Sequence, residues 1–364
     1  MHSQRERLHN ELHARPSIYF SEPAHLYHYA FLADAQAHAE LLIHLGEATG
    51  LAFDNDAVQQ ILTLDDKVLK WERHTEFSTL TVMVPKAASV EPWAAPPAWL
   101  APVVESQSDA LINATLVLVE GDDAWRGSAE AYGFTDPAGS QVGGGDATIW
   151  GDFRLDAGGY TRLLLLNHGL NAFRLGRMVR RLFEIETYRM MASLSLPLAK
   201  ELALELQAYE LELGELSDRN AEQEDANPRP LLTALSLLSA RLERSGARSR
   251  QRFSATEAYA RIVFSRIEEL REARVDHCPR LGTFLLRRFR PTVHYCAAIH
   301  QRQESLAESA ARLNDLLRTR AQVEIEEQNS SILNSLDERA SSQLKLQKAV
   351  EGLSIIVISY YVFS

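Results

Sequence analysis

Cysteine is nearly missing from this chain, with only Cys278 and Cys296 in 364 residues. So few exclude a disulfide framework and fit a reducing compartment. Positive charge is also in deficit: 38 Lys and Arg stand against 49 Asp and Glu, a formal net charge of −11. That balance excludes a general affinity for nucleic acid, which needs a basic surface to displace counterions. The N-terminal "MHSQRERLHNE" is charged and lacks the apolar core of a secretory signal. No internal repeat, dinucleotide fingerprint, nucleophile elbow or serine–histidine–aspartate arrangement is found. "GGGD" (143–146) is no phosphate loop, because no Lys-Ser/Thr follows and the next segment reads as a strand.

What remains is the composition of an ordinary globular protein, 46% hydrophobic and 24% charged, at a length suited to two or three domains. Residues 1–168 read as a mixed α/β domain. Short β-branched runs at 25–33, 67–74, 76–85, 110–120, 147–156 and 160–167 are bounded by Gly, Pro and Asp and predict strands. "DAQAHAELLIHLGEATG" (34–50) predicts a helix capped by Asp34 and ended by Gly46 or Gly50. "EPWAAPPAWLAP" (91–102) reads as a connection, and "DAGG" (156–159) as a hairpin turn. After Gly169 apolar residues recur at helical spacing. The prediction is a helix over 171–220 broken at Pro197, a charged linker at 219–230, and helices near 231–246, 252–275 and 281–290. A very long helix follows from Pro291, with Pro279 and Pro291 as interruptions. The fold class is therefore α+β: the mixed domain, a helical domain over 169–320, and a stalk helix over 321–352 leading into 353–364.

That last segment belongs to "GLSIIVISYYVFS" (352–364), uncharged and rich in β-branched and aromatic residues. It runs for about a dozen residues, whereas a bilayer crossing takes roughly 20. It is expected to be the start of a truncated membrane helix, since a polar helix runs into it without a turn residue; a buried strand or helix end is the other reading. Arg339, Lys345 and Lys348 precede it, and basic residues beside a span mark the cytoplasmic side. The expected location is the inner membrane with the main body cytosolic. Ahead of the run, Ile325, Asn329, Ile332, Leu336, Ala340, Gln343, Leu346, Val350 and Leu353 recur at three- and four-residue steps. Such a coiled-coil-like stripe predicts a homo-oligomer seam, in which polar Asn329 fixes register at a loss of stability. A surface helix packed on its own domain gives the same pattern.

Four constellations could carry chemistry. In "LHNELHARP" (8–16), His9 and His13 share a helix face, while Glu11 points ~200° from His9 at 3.6 residues per turn. Two ligands for a divalent metal are available there, with partners needed from elsewhere. "WERHTEF" (71–77), read as a strand, places Glu72, His74 and Glu76 on one face, a set that could bind a divalent ion or shuttle a proton. A solvated strand face looks the same. His277, Cys278, Cys296 and His300 match no named zinc module. Finally, "NHGLNAFRLGRMVRRLFEIETYR" (167–189) puts Arg174, Arg177 and Arg181 on one helix face with Arg180 beside them. Guanidinium groups in a row suit an anion, while Arg180–Glu184 and Glu186–Arg189 spacings suit ion pairs within the helix or between domains.

"LHNELHARP", "WERHTEFSTLT", "LNAFRLGRMVRRLFEIETYRMMASLSLP" and the segment from "RTRAQVEIEEQ" to "SIIVISYY" resemble a bacterial family of uncharacterised membrane-anchored proteins, domain of unknown function thirty-four twenty-two. The resemblance implies a pattern that continues through a first membrane helix into a second, and it implies no activity. The order of parts also looks like that of CorA-type metal-ion transporters: an N-terminal α/β domain, helices, then a stalk entering the membrane. Three functions follow as expectations. One is a membrane-anchored oligomer that senses or transports an ion. The others are a metal-dependent enzyme using the N-terminal His and Glu residues, and a non-catalytic scaffold.

Overall fold

The computed structural model describes residues 2, 4, 5, 9, 16–86, 91–222 and 227–363. Their contacts divide the chain into two interleaved compact units, 1–198 with 251–297 and 199–250 with 298–364. The α+β class holds: a nine-stranded mixed sheet comes first and long helices follow. The change of texture near Gly169 marks the end of the continuous run of strands; the compact units are divided elsewhere.

In the first unit the chain runs through β1 (Ala24–Leu32), α1 (Ala35–Thr49), β2 (Gln59–Leu64), β3 (Lys67–Arg73), β4 (Phe77–Pro85), α2 (Leu100–Ser106), β5 (Leu111–Gly121), β6 (Ala138–Val142), β7 (Ala147–Leu155) and β8 (Thr161–Asn167). After the long helices begin it adds a two-residue strand, β9 (Ala273–Arg274). The sheet order is β2-β3-β4-β1-β5-β8-β7-β6-β9. Every pairing is antiparallel except β5 with β8. Six of these strands match the sequence expectation to within a residue or so. β2, β6 and β9 do not stand out in the sequence because "QQILTL", "AGSQV" and "AR" are short and rich in polar or small residues.

Alternation then sorts the side chains. On one face Tyr27, Tyr29, Phe31, Leu69, Trp71, Leu80 and Val82 pack with Leu41, Leu42 and Leu45 of α1 and Leu100 and Val103 of α2. On the other, Leu26, Val117, Val119, Ile149, Leu163 and Leu165 pack against α3 (Ala172–Ser193). The same core takes in Ala260, Val263 and Ile267 of α5 (Arg229–Glu269) and Leu281, Leu285 and Phe289 of α6 (Leu281–Phe363). Asp34 caps α1 as expected, its Oδ1 accepting from the Gln36 and Ala37 amides at 3.0 Å each. Gly50 ends it at φ 71°, so Gly46 stays inside the helix.

Three helical expectations need correction. The break expected at Pro197 falls at Leu194, and α4 (Ser195–Glu222) begins before the proline. Pro197 thus occupies a first turn, where no amide partner is needed. The helices expected at 231–246 and 252–275 are one helix, α5, which ends at Glu269. Gly246 costs it only ~1 kcal/mol, and the Ser249 hydroxyl is satisfied in place by the Ser245 carbonyl at 3.1 Å. Pro291 does not interrupt α6. It removes one backbone bond, but the helix is held on either side by buried Leu285, Phe289 and Cys296.

The second unit is built from lengths of α4, α5 and α6. Ala199, Leu202, Leu206, Leu216, Leu231, Leu235, Leu238, Leu242, Ile299, Leu306, Ala310 and Leu317 are its buried apolar residues among those described. Arg302 grips Glu210 through Nε at 2.6 Å and a second nitrogen, Arg248 pairs with Glu205 at 2.9 Å, and Arg320 donates to the Asn220 carbonyl at 3.2 Å. Beyond that bond α6 continues, and every side chain from Ile325 to Glu351 is exposed. The expected membrane segment is the direct continuation of this helix to Phe363. Among the described residues, no helix is long and apolar enough to cross a membrane.

Candidate functional site

A cavity of about 290 Å³ lies on the α3 side of the sheet, within the first unit. The local sequence explains why core is replaced there by space. Elsewhere this face carries Val117, Leu163 and Leu165, but β3 presents Lys70 and Glu72, and β4 presents Thr79 and Thr81. Leu26 and His28 of β1 complete the floor. The roof is α3, through Val179, Arg180, Phe183, Glu184 and Thr187, with Ile262 and Arg266 from α5 and Ser17, Ile18 and Phe20 from the segment before β1. Gly176 brings the helix down onto that segment: a Cβ at this position would lie 2.1 Å from the Ile18 carbonyl oxygen.

The floor is charged and almost dry. Lys70 Nζ meets Glu72 Oε1 at 2.9 Å, with side chains 5% and 13% exposed. Burial pushes the Lys70 pKa down, opposed by the Glu72 charge and aided by Arg180. His28 is buried and stacks on Phe183, ring centroids 4.4 Å apart. Its Nδ1 meets Thr81 Oγ1 at 2.8 Å and its Nε2 meets Thr187 Oγ1 at 3.0 Å. Asn113 Nδ2 donates to Thr187 Oγ1 at 3.2 Å. Burial, with Lys70 and His74 adding like charge, lowers the His28 pKa to about 3, so the ring is neutral. At the margin Glu184 accepts from Arg180 Nε at 2.7 Å and from Arg266 Nε, while Arg266 also reaches Glu269 at 2.6 Å. His74 stacks on Phe77 at 4.1 Å, edge-on to Tyr188.

Of the three residues expected to share a strand face, Glu72 and His74 line this cavity and Glu76 does not. Residues 74–76 are the turn between β3 and β4, so the alternation stops before Glu76. That carboxylate instead accepts from Arg252 at 3.1 Å and from the Tyr259 hydroxyl at 2.8 Å. His9 is exposed, and His13 lies outside the described residues. Cys278 packs by Trp150 and Val275, whereas Cys296 accepts from the Ser195 hydroxyl at 3.2 Å, so the two cysteines do not meet. Among the described residues no group of three His, Cys, Asp or Glu side chains is placed to hold a metal ion.

The arginine row divides. Arg180 joins the cavity, and Arg174, Arg177 and Arg181 line a separate cleft of about 290 Å³ with Gly143, Glu269 and Arg271. Arg174 pairs with Asp146 at 2.6 Å and Arg181 with Glu269 at 3.0 Å. The ion pairs foreseen from spacing form as well: Arg180 with Glu184, and Arg189 in a two-pronged grip on Glu186 at 2.8 and 3.1 Å. One arrangement not foreseen is a threonine relay, Thr148 Oγ1 to His168 Nε2 at 2.7 Å with His168 Nδ1 on Asp122. Thr148 is buried, and the contact ties the loop after β5 to the ends of β7 and β8. Lys70, His28 and the threonines also escaped the sequence reading. The available signal was a polar set at two-residue spacing on neighbouring strands, which a solvated face shares.

Fold and site together define an α+β protein with a partly open, mixed polar and apolar cavity under its sheet and a long helix whose side chains are exposed from Ile325 to Glu351. The chain belongs to the family described as protein of unknown function (DUF3422), whose model matches residues 1–364. No curated protein and no solved structure matches it.

Proposed function

We propose that this protein is a homo-oligomer held at the cytoplasmic face of the inner membrane by the end of α6. Its long helices associate along a seam through Asn329, Ile332, Leu336 and Leu346. The observation that supports this reading is exposure: Ile332 is 57%, Leu336 54% and Leu346 67% exposed, and Ile355, Ile356 and Ile358 are each above 60%. Covering one such side chain contributes ~1.5–3 kcal/mol, while association costs ~4–15 kcal/mol. Isolated apolar residues therefore achieve nothing, and a stripe recurring over several turns can hold copies together. Asn329 in the stripe sets register. The likeness of layout to CorA-type transporters has only the order of elements behind it, so no ion and no pore belong to this reading.

Light scattering on the purified protein in mild detergent tests the assembly. The expected mass is a whole multiple of the chain mass, and Leu336→Lys with Leu346→Lys should return a single chain with unchanged helix content. A strictly monomeric wild type overturns the proposal.

A further inference from the structure

The geometry points to the cavity between β3, β4 and α3 as a binding site for a small zwitterion of the α-amino acid class, its two charged ends received by Lys70 and Glu72 and its side chain by the aromatic wall. This goes beyond the assembly reading and does not depend on it.

Three observations carry it. The first is the polar lining of the cavity, with an ion pair at its floor. Lys70 has three N–H donors, and its partner among the described residues is Glu72 Oε1 at 2.9 Å. Glu72, Thr79 and Ser17 line the same space, and none of their side-chain atoms is among the buried polar atoms left without a hydrogen-bond partner. A polar molecule in this space meets donors and acceptors of both charge signs on neighbouring strands. His28 is different: Thr81 and Thr187 occupy both of its ring nitrogens, and it serves as a neutral wall.

The second is the sign of the charges. A lone anion reaching Lys70 would be pressed against Glu72 and Glu184; a lone cation reaching Glu72 would meet Lys70, Arg180 and Arg266. Beside so well buried an ion pair either mismatch is costly. A ligand carrying both charges a few ångströms apart meets neither penalty. Its carboxylate lies on Lys70 and Thr79, its ammonium on Glu72 Oε2, and the four charges alternate. The third is shape. About 290 Å³ is at the small end of ligand cavities. Phe20, Phe77 and Phe183 with Leu26 and Val179 supply an apolar remainder for a side chain.

The test is calorimetric titration of the full chain with each of the twenty L-amino acids. The best binder is then compared with its counterpart lacking the amino group and its counterpart lacking the carboxylate. Saturable binding of at least one amino acid is expected, with both single-ended counterparts at least tenfold weaker. Glu72→Gln and Thr79→Val should each lower affinity by tenfold or more. Thr79→Val changes no charge and keeps the side-chain shape, so it stays informative if a charge variant fails to fold. Binding by none of the twenty overturns the inference. So does a deaminated acid that binds as tightly as its amino acid, or affinity untouched in Thr79→Val and Glu72→Gln.

Discussion

His28 shows most clearly what the cavity demands of single residues. Its pKa is about 3 in the folded protein, against ~6.5 for an exposed ring. The unfolded chain therefore takes up a proton below pH ~6.5 that the folded chain refuses, and stability present above that pH is lost as pH falls toward 3. His25 and His38 are also lowered by burial and act in the same direction. Between pH 6.5 and 5, above the range of most carboxylates, unfolding free energy should fall by up to ~1.4 kcal/mol per pH unit for His28 alone. Urea titrations across that window should show the slope, and His28→Gln should flatten it; an unchanged slope would place the ring in contact with water. Little of this is visible in "HLYHYAFLA". Alternation separates His28 from Tyr27 and Tyr29 correctly, yet a histidine among strand residues looks the same on a solvated face. Glu72 and His74 were legible as neighbours for that same reason, period two. Glu76 was misplaced because a turn resets the period, and "HTE" carries neither Gly nor Pro to announce one.

At the scale of elements, local chemistry was readable wherever it was strong and misleading wherever packing overrode it. Asp34 and Gly50 bound α1 by capping, which is a property of those residues alone. Pro291 and the polar "SGARSRQ" look like breaks from the same kind of evidence, and both remain helical because buried residues on either side hold the backbone. Gly176 is the inverse case. In a free helix, replacing glycine by alanine stabilises by ~1 kcal/mol, and α3 is well formed around it. Here the added carbon meets the Ile18 carbonyl at 2.1 Å, so α3 or the 16–20 segment must move. Gly176→Ala should destabilise by ~1–3 kcal/mol, the usual range for overpacking, and should alter the cavity roof. Thermal unfolding decides the sign: a higher midpoint would mean that the close approach is not kept in solution.

On the scale of the whole molecule, the proposed seam and the proposed membrane anchor at the end of α6 predict a coupling between them. If the proposed assembly and anchor both hold, several apolar helix ends presented side by side would act as a multivalent anchor whose strength exceeds that of each. Membrane attachment should therefore depend on residues that touch no lipid. With vesicles containing anionic lipid, the wild type should float with the lipid. Ile355→Asp with Ile358→Asp should remain behind while staying oligomeric, because each aspartate opposes burial in hydrocarbon by ~2.5–3.5 kcal/mol. Leu336→Lys with Leu346→Lys, which leaves the apolar end intact, should also lose most of its binding. If that seam variant floats as fully as the wild type, each helix anchors on its own and the coupling between assembly and membrane is absent. If no form floats, the end of α6 serves assembly alone, and the apolar stripe is to be read as one continuous interface from Ile325 to Ile358.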